Sequence, residues 1–422
     1  MTSWMGSLLH THDGDGPGSL AIALVSEHAS PLAALGGVDA GGQNVHVACL
    51  ASALADRGHR VTVYTRRDDA DLPDRVVLRE GVEVHHVPAG PAEPIPKDEL
   101  LPHMGDFARH LTRVWRGRPP DLVHSHFWMS GLAALRAVRP LGLPLLHTYH
   151  ALGTVKRRHQ QLADTSPPQR IAHETDVGLG CDRVIATCRD EVVELDRMGI
   201  PSDRVSIVPC GVDTDLFTPR GPAAKRRTHR YRLLQLGRLV PRKGAAVSIA
   251  ALARLPDTEL VVVGGPPGDR LDDDPEVRRL RAIARRAEVA DRVHFTGGVP
   301  SRQVPALLRG ADVVLCPAYY EPFGIVPLEA MACGRPVVAS AVGGHLDTVA
   351  DPGTGRLVPP RDPEALARSV ADLLARPEAR EACGAAGRRR VLRRYGWGRV
   401  AAETEAAYCA VLDAQQAVTG VV

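Results

Sequence analysis

Short runs of aliphatic and β-branched residues alternate with longer Ala-, Leu- and Arg-rich stretches along the whole chain. The first apolar run, residues 20–25, is followed by a helical pattern over residues 42–57. This alternation is typical of βαβ units, which build parallel sheets covered by helices. Further strands in the first half are predicted at residues 60–64, 82–87, 122–124, 143–148, 183–186 and 205–208.

The pattern is interrupted after residue 219 by a polar, basic stretch that continues through Arg230. A second series of strands is predicted at residues 232–236, 260–263, 293–295, 313–315, 336–339 and 355–358. A chain of 422 residues also exceeds the roughly 250–300 residues at which single cores stop growing. We therefore predict an α/β protein in which two Rossmann-like domains, residues 1–212 and 213–395, face each other across a cleft. Residues 396–422 are predicted to form a helix that crosses back to the first domain.

Composition narrows the class of partner. The formal net charge is only +3 with 24% charged residues, so we expect no nucleic-acid partner. Anion recognition must then come from local clusters such as Lys156-Arg157-Arg158-His159, for which a solvated helix face is an equally good interpretation. The sequence leaves the oligomeric state open, and a homodimer is compatible with it.

The eight cysteines are scattered singly, without a C-x-x-C pair. This usage is typical of buried thiols in a reducing compartment, so we predict a cytoplasmic protein without a disulfide framework or a zinc site. Residues 1–19 are polar and Gly-rich, and the apolar run that follows is short. We expect neither a signal peptide nor a transmembrane segment.

A Gly-rich loop separates the first predicted strand from the first predicted helix. It reads Gly-Gly-Val-Asp-Ala-Gly-Gly-Gln-Asn over residues 36–44. At Gly41 and Gly42 the missing side chains would let backbone amides approach a diphosphate. The loop matches neither G-x-G-x-x-G nor the P-loop pattern, which argues against an NAD enzyme and an ATPase. A turn that needs positive φ is an equally good interpretation.

Two segments of the second domain carry charged residues suited to a nucleotide sugar. Arg238 and Lys243 stand five residues apart just after a predicted strand, where they suit a diphosphate leaving group. Glu321 and Glu329 stand eight apart around a predicted helix start, where one can bind sugar hydroxyls and the other a ribose. The alternatives are a solvated basic turn and surface carboxylates favoured by the helix dipole.

These segments resemble the motifs of glycosyltransferase family 4, which has the GT-B fold. The chain has E-x7-E at Glu321, G-R-x4-K-G at Gly237, the Gly264-Gly265-Pro266 turn and V-P-C-G-V-D ending at Asp213, in order and over almost its whole length. The resemblance implies retaining transfer of a sugar from a nucleotide diphosphate sugar, with a UDP-sugar favoured, to a small hydroxyl acceptor without a metal or other cofactor. The donor residues that it implies are Gly41, Gly42, Arg238, Lys243, Val299, Glu321, Phe323, Gly324, Ile325 and Glu329.

Within this family the N-terminal segments are similar to inositol-phosphate N-acetylglucosaminyltransferases and to sucrose-phosphate-synthase-like enzymes. Residues 39–44, 124–131 and 147–148 carry the similarity. It implies that His147 lies at the reacting centre with Arg238, Lys243 and Glu321. The acceptor residues that it implies are Asn44, Lys97, His126, Phe127, Thr148 and Arg170. Phe127 stands where the inositol-phosphate type has Tyr, so the sequence leaves open whether the acceptor is phosphorylated.

Retention of the anomeric configuration allows two mechanisms: a carboxylate nucleophile, or a front-face path in which the leaving diphosphate helps to deprotonate the acceptor. The resemblance favours the front-face path. A D-x-D pattern at residues 272–274 formally suggests a metal, but a solvated loop is the preferred interpretation. Two alternatives from other classes are a nucleotide-sugar epimerase, which would turn over donor without acceptor, and a non-catalytic sugar-nucleotide-binding protein. A phosphorylase would need a pyridoxal-phosphate lysine that we cannot place.

Overall fold

The computed structural model describes residues 18–33, 41–226 and 229–419, and they form two parallel β-sheets. The strands of the first sheet are β1 (Ala21–Val25), β2 (Arg60–Arg66), β3 (Arg75–Arg79), β4 (Val82–Val87), β5 (Leu122–His126), β6 (Leu145–Thr148), β7 (Arg183–Ala186) and β8 (Val205–Ile207). Those of the second are β9 (Tyr231–Leu236), β10 (Thr258–Val263), β11 (Val293–Gly297), β12 (Val313–Cys316), β13 (Val337–Ser340) and β14 (Gly355–Val358).

The first sheet has the order β3-β4-β2-β1-β5-β6-β7-β8 and the second β11-β10-β9-β12-β13-β14. Helices connect the strands and cover both faces of each sheet. They are α1 (Gly42–Ala55), α2 (Met104–Gly117), α3 (Trp128–Val138), α4 (Gly153–Gln160), α5 (Arg170–Gly180), α6 (Arg189–Arg197), α7 (Ala245–Leu252), α8 (Pro275–Arg286), α9 (Val304–Gly310), α10 (Ile325–Ala332), α11 (His345–Thr348), α12 (Pro363–Ala375), α13 (Pro377–Arg394) and α14 (Trp397–Thr419).

Every strand predicted from the apolar runs is present, and one strand, β3, was missed. It pairs antiparallel with β4 at the sheet edge, whereas the other pairs in both sheets are parallel. Its residues alternate between exposed and half-buried. A half-exposed edge strand needs no continuous apolar run, because only the inner strands of a parallel sheet are buried on both faces.

Separate clusters of buried side chains cover the two faces of each sheet. In the first sheet Val25 and Val123 contribute to one cluster, and Leu24 and Leu122 to the other. Leu234 and Leu233 divide in the same way in the second sheet. The alternation along single strands shows that each sheet is an independent two-faced core.

The C-terminal helix packs against the first sheet's layer of helices. α14 lies beside α1, and the Tyr408 hydroxyl is 2.8 Å from Nδ1 of His124 on β5. Just before α14, the Val212 amide donates to the Tyr395 carbonyl at 2.8 Å, and Val212 forms an isolated bridge with Gly396. The chain therefore crosses between the two sheets twice at one place. In the part of the chain described, no helix is long and apolar enough to cross a membrane.

Candidate active site between the two sheets

Contacts between the two halves bring the carboxyl ends of both sheets to one cleft. A Cβ built on Gly42 would lie 3.3 Å from Cδ1 of Ile325, so the N-terminus of α1 meets that of α10. The Cys188 thiol donates to the Pro322 carbonyl at 3.2 Å. Helix N-termini and strand ends are where open α/β sheets bind phosphorylated ligands. Residues 36–40 of the Gly-rich loop lie outside the described residues, whereas Gly41 and Gly42 are exposed at this cleft.

Lys243 and Glu321, both predicted from the motifs, form an ion pair between Nζ and Oε2 in the cleft. The pair is anchored through the backbone, since Nε2 of Gln235 donates to the Lys243 carbonyl at 2.8 Å. Burial alone would raise the pKa of Glu321. The charges of Lys243, His345 and Arg242 outweigh burial and lower that pKa. Glu321 is therefore an anion at neutral pH, and its carboxylate oxygens are hydrogen-bond acceptors.

Arg238 lies on the same loop as Lys243, and its side chain is exposed. Desolvation and the nearby charge of Arg242 lower the pKa of Arg238, although an arginine stays cationic. Arg242 donates from Nη1 to the Tyr320 carbonyl at 3.4 Å, whereas the side chain of Arg238 makes no hydrogen bond or ion pair with any described residue. A guanidinium left without a protein partner beside Lys243 is available to a bound diphosphate.

The segment from Phe323 to Ile325 turns the chain into α10. Gly324 has φ +93, and a Cβ there would lie 2.8 Å from Cδ2 of His345, so conformation and space both require glycine. Phe323 is buried beside Tyr395, with ring centroids 6.4 Å apart. Val299, predicted near the nucleotide base, is half-buried against the same core cluster as Ile325. The turn leaves the first amides of α10 at the cleft.

Glu329 lies one turn further into α10, and its carboxyl group makes no hydrogen bond or ion pair with a described residue. Desolvation raises the pKa of Glu329 to about 7. Its carboxyl group therefore titrates near neutral pH, and its acceptor oxygens are not used within the protein. This is compatible with the predicted contact to a ribose diol, which would supply the missing hydrogen bonds.

The raised pKa of Glu329 predicts a pH-dependent stability. The folded-state pKa of about 7 lies above the ordinary 4.5, so the folded protein binds the extra proton and its stability falls as the pH rises between these values. We expect Glu329→Gln to melt at the same temperature as wild type near pH 4.5 and at a higher temperature at pH 8, measured without ligand. Glu381→Gln, at an exposed position of α13, should track wild type throughout. An equal melting temperature of Glu329→Gln and wild type at both pH values would contradict the assignment.

On the other side of the cleft, Phe127 is the centre of the predicted acceptor residues. Its ring lies 5.2 Å from Nζ of Lys97 and 5.2 Å from the guanidinium carbon of Arg170. The ring of His28 approaches its edge at 4.8 Å. Phe127 has φ +81, an unusual value for an aromatic residue. Strain of this kind concentrates at functional sites because the surrounding structure must enforce it.

Lys97 and Asn44 are accessible from the cleft. The Lys97 side chain is exposed and makes no hydrogen bond or ion pair with a described residue. Asn44 is half-buried, and its amide donates to the Ser30 carbonyl at 3.0 Å. Lys97 is thus a cation on the acceptor side of the cleft whose charge is not paired by a described carboxylate.

Two of the predicted acceptor residues, Arg170 and Thr148, have buried side chains that hydrogen-bond within the protein. Arg170 is buried, with Nε 2.7 Å from Glu174 and Nη2 2.6 Å from the Ala151 carbonyl. Thr148 is buried and donates to the Ile185 carbonyl at 3.2 Å. Neither side chain is free to bind an acceptor phosphate in this geometry.

His147 is fully buried beneath α3. Its Nδ1 is 2.8 Å from the Ser125 hydroxyl, and a Cβ on Gly131 would lie 2.8 Å from its Cε1. Burial lowers the pKa of His147 to about 3. The side chain of His147 therefore presents no exposed surface at the cleft, and its place at the reacting centre stays a prediction.

His150 is half-buried and borders the cleft. It has φ +60, and it borders a small interdomain cavity together with Tyr320 and Pro322. Nδ1 of the predicted His126 lies 3.0 Å from Nε2 of His150, while Nε2 of His126 is buried without a partner. His150 could have been considered from the sequence, because it follows the end of a predicted strand. Periodicity alone does not tell whether His147 or His150 faces the cleft.

The basic cluster on α4 is largely satisfied by the protein. Lys156 pairs with Asp164 at 3.0 Å, and Arg158 forms two hydrogen bonds with Glu194 at 2.9 and 2.8 Å. The ring of His159 stacks on that of Tyr320, with centroids 5.2 Å apart. The cluster therefore contributes to the wall of the cleft and to the contact between the two halves.

Two carboxylates of the D-x-D pattern have partners within the protein. Asp274 caps α8 by accepting from the Val277 amide at 2.9 Å, and Asp272 pairs with Arg281.

The protein is a glycosyltransferase with the GT-B fold. Its two α/β domains face each other across a cleft that holds the Lys243–Glu321 pair, the unpaired side chain of Arg238 and the helix N-termini. The model of glycosyltransferase family 4 matches residues 40–216, and that of glycosyl transferases group 1 matches residues 222–390. The chain belongs to glycosyltransferase family 4.

The chain is similar to named enzymes over most of its length. The chain is 40% identical over 398 residues to the D-inositol 3-phosphate glycosyltransferase of Xylanimonas cellulosilytica, covering 90% of this chain and 94% of the relative. It is also 40% identical over 371 residues to that of Acidothermus cellulolyticus, covering 84% and 82%. Among solved structures, sucrose-phosphate synthase from Thermosynechococcus elongatus superposes with a TM-score of 0.84 at 34% identity, covering 93% of this chain and 99% of that one.

Proposed function

We propose that this glycosyltransferase moves a sugar from a nucleotide diphosphate sugar, a UDP-sugar in the first instance, to a hydroxyl of a small phosphorylated sugar or cyclitol in the cytoplasm. The observation that carries the proposal is the Lys243–Glu321 pair next to the unpaired Arg238. On binding, the donor diphosphate takes Lys243 and Arg238, and Glu321 turns to the sugar. The reaction then needs no metal, because the two cations and the amides of α10 offset the charge on the leaving diphosphate.

The environment of Glu27 supports the front-face path. Glu27 follows β1 and lies on the acceptor side, but its side chain is fully buried. One of its oxygens accepts from the Ser130 hydroxyl, and the other lies 2.6 Å from Nδ1 of His28. A carboxylate held in this way cannot reach an anomeric carbon, so it is a poor nucleophile candidate. The departing diphosphate oxygen is then the group that takes the acceptor proton.

The acceptor class follows from Lys97. This unpaired cation lies over the Phe127 ring and faces the cleft, which favours an anionic acceptor. It does so although Phe127 lacks the hydroxyl of the tyrosine that inositol-phosphate-type enzymes have at this position. The relatives named as D-inositol 3-phosphate glycosyltransferases and sucrose-phosphate synthase support a phosphorylated cyclitol or sugar. His150, in place of His147, then faces the transferred sugar.

Lys97→Met is expected to raise KM for a phosphorylated acceptor by about tenfold or more, since a charge-assisted hydrogen bond contributes roughly 1.5–3 kcal/mol. KM for the donor should stay within about twofold of wild type. Steady-state kinetics with each substrate varied in turn checks both values. A parallel rise in the donor KM, or no rise in the acceptor KM, would remove Lys97 from the acceptor site.

A thermal-shift screen against UDP, GDP, ADP, TDP and their common sugars tests the donor class. A ligand that binds only the folded state stabilises it, by about 2.7 kcal/mol at a hundred times its Kd. We expect one base to stand out, with uridine favoured. If none of the nucleotides shifts the melting temperature, the diphosphate site between Gly42 and Lys243 is misassigned.

A further inference from the structure

Three histidines from three separate elements converge beneath the acceptor side of the cleft. His46 lies on α1, His126 at the end of β5 and His150 just after β6. Each offers a ring nitrogen, and these nitrogens lie within 4.8 Å of one another. The ring centroids are 4.9 Å apart for His46 and His150 and 5.2 Å apart for His126 and His150. Residues so distant in sequence form a cluster only because the sheet places them at one edge.

The hydrogen bonding of this histidine cluster is incomplete. Nδ1 of His126 and Nε2 of His150 are 3.0 Å apart and can share one proton. Nδ1 of His46 and Nε2 of His126 are buried without a hydrogen-bond partner among the described residues. Buried polar atoms are usually paired, so the unpartnered Nδ1 of His46 beside the His126–His150 pair indicates that the cluster can accept a ligand.

The chemistry of the three side chains favours a cation over an anion. Each contributes an imidazole whose ring nitrogens can act as ligands, and the ligand atoms lie within 4.8 Å of one another. A phosphate or carboxylate would find no lysine or arginine among the three side chains, whereas a transition ion would find three nitrogen ligands.

We propose that His46, His126 and His150 form a binding site for a divalent transition ion of the Zn²⁺ type, and that the bound ion inhibits sugar transfer. Zinc is held at about 2.0–2.1 Å by histidine nitrogens, which places neighbouring ligand atoms roughly 3.3 Å apart in a tetrahedral site. The 3.0 Å separation of His126 and His150 is within a few tenths of this value. Rotation of the His46 side chain brings in the third ligand, and a water from the cleft completes four-coordination.

Inhibition follows from the position of His150. This residue borders the cleft at Tyr320 and Pro322, where the two halves meet. An ion would hold its imidazole in the cluster and away from the transferred sugar. The His46 ring also contacts that of Trp397, with centroids 5.4 Å apart, at the point where the chain crosses back to the first sheet. The ion would therefore restrict motion of the chain near Trp397, and it would also keep the imidazole of His150 bound.

Titration of the EDTA-treated protein with Co²⁺ and Zn²⁺ tests the site directly. We expect one Co²⁺ per chain with the visible absorption of a four-coordinate ion, and displacement by one Zn²⁺. His46→Phe, which keeps the ring volume, should weaken binding at least tenfold while its metal-free melting temperature stays close to that of wild type. If His46→Phe does not fold, His46→Gln serves the same purpose. Cys409→Ser, which removes the one cysteine that is exposed in the described residues, should bind as wild type does.

Transfer assays with and without Zn²⁺ test the inhibition. Wild-type transfer should fall with occupancy of the site and return on adding EDTA, and His46→Phe should keep its activity at the same Zn²⁺ concentration. Absence of saturable binding, or equal Co²⁺ affinity in His46→Phe, would overturn the site. Full wild-type activity at saturating Zn²⁺ would overturn the inhibition. The part of the inference that concerns inhibition rests on the proposed function, whereas the Co²⁺ titration remains decisive even if no sugar is transferred.

Discussion

Lys243→Met is expected to lower kcat by about 10²–10³-fold, because loss of one preorganised group that stabilises transition-state charge costs roughly 3–4 kcal/mol. The substitution keeps the length of the side chain and removes its charge. It should also weaken binding of the free nucleoside diphosphate, since Lys243 is assigned to the diphosphate and not to the sugar. Isothermal calorimetry with the nucleotide and steady-state kinetics measure the two effects separately.

Loss of Lys243 also changes the titration of its partner. Lys243 heads the charges that lower the pKa of Glu321 against burial, so the pKa of Glu321 should rise in Lys243→Met. The acidic limb of the pH–rate profile should therefore move to higher pH. Lys225→Met, at an exposed position outside the cleft, is the matched control and should behave as wild type. Wild-type kcat in Lys243→Met would remove this residue from the active site.

Glu321→Gln should lower kcat by a comparable factor of about 10²–10³ with the opposite effect on nucleotide binding. In the ligand-free protein Glu321 competes with the diphosphate for Lys243, so the neutral amide frees the lysine. The nucleoside diphosphate should bind as tightly as in wild type or more tightly, while turnover of the complete donor falls. Kinetics and calorimetry on the same preparation provide the comparison.

The matched control for this substitution is Glu381→Gln on exposed α13. A Glu321→Gln enzyme that binds nucleotide weakly would place Glu321 at the diphosphate or make its role structural. A variant with unchanged kcat would show that the sugar is held elsewhere. The two cleft variants together separate diphosphate binding from sugar binding, which neither can do alone.

The sequence predicted the fold well because the inner strands of a parallel sheet are buried on both faces and appear as continuous apolar runs. The second-domain motifs were equally informative. Arg238, Lys243 and Glu321 lie on short loops at strand ends, where spacing in sequence largely determines position in space. The Lys243–Glu321 contact joins two loops that follow neighbouring strands β9 and β12.

The acceptor side was harder to predict, since the direction of a side chain on a short strand depends on one residue of register. His147 and Thr148 on β6 were chosen by resemblance, and the structure places both in the core. His150 is two residues beyond the strand, where it has positive φ and borders the cleft cavity. The proximity of His46 to His126 joins residues 80 positions apart, which no local pattern records.

The most direct test of the central claim is the anomeric outcome of a complete reaction. The protein is incubated with UDP-, GDP- and ADP-hexoses together with inositol phosphates and hexose phosphates, and the product is followed by NMR. The account predicts release of nucleoside diphosphate only when an acceptor is present, and a glycoside with the anomeric configuration of the donor. An inverted glycoside would contradict the retaining front-face mechanism, and donor turnover that needs no acceptor would contradict the transferase itself.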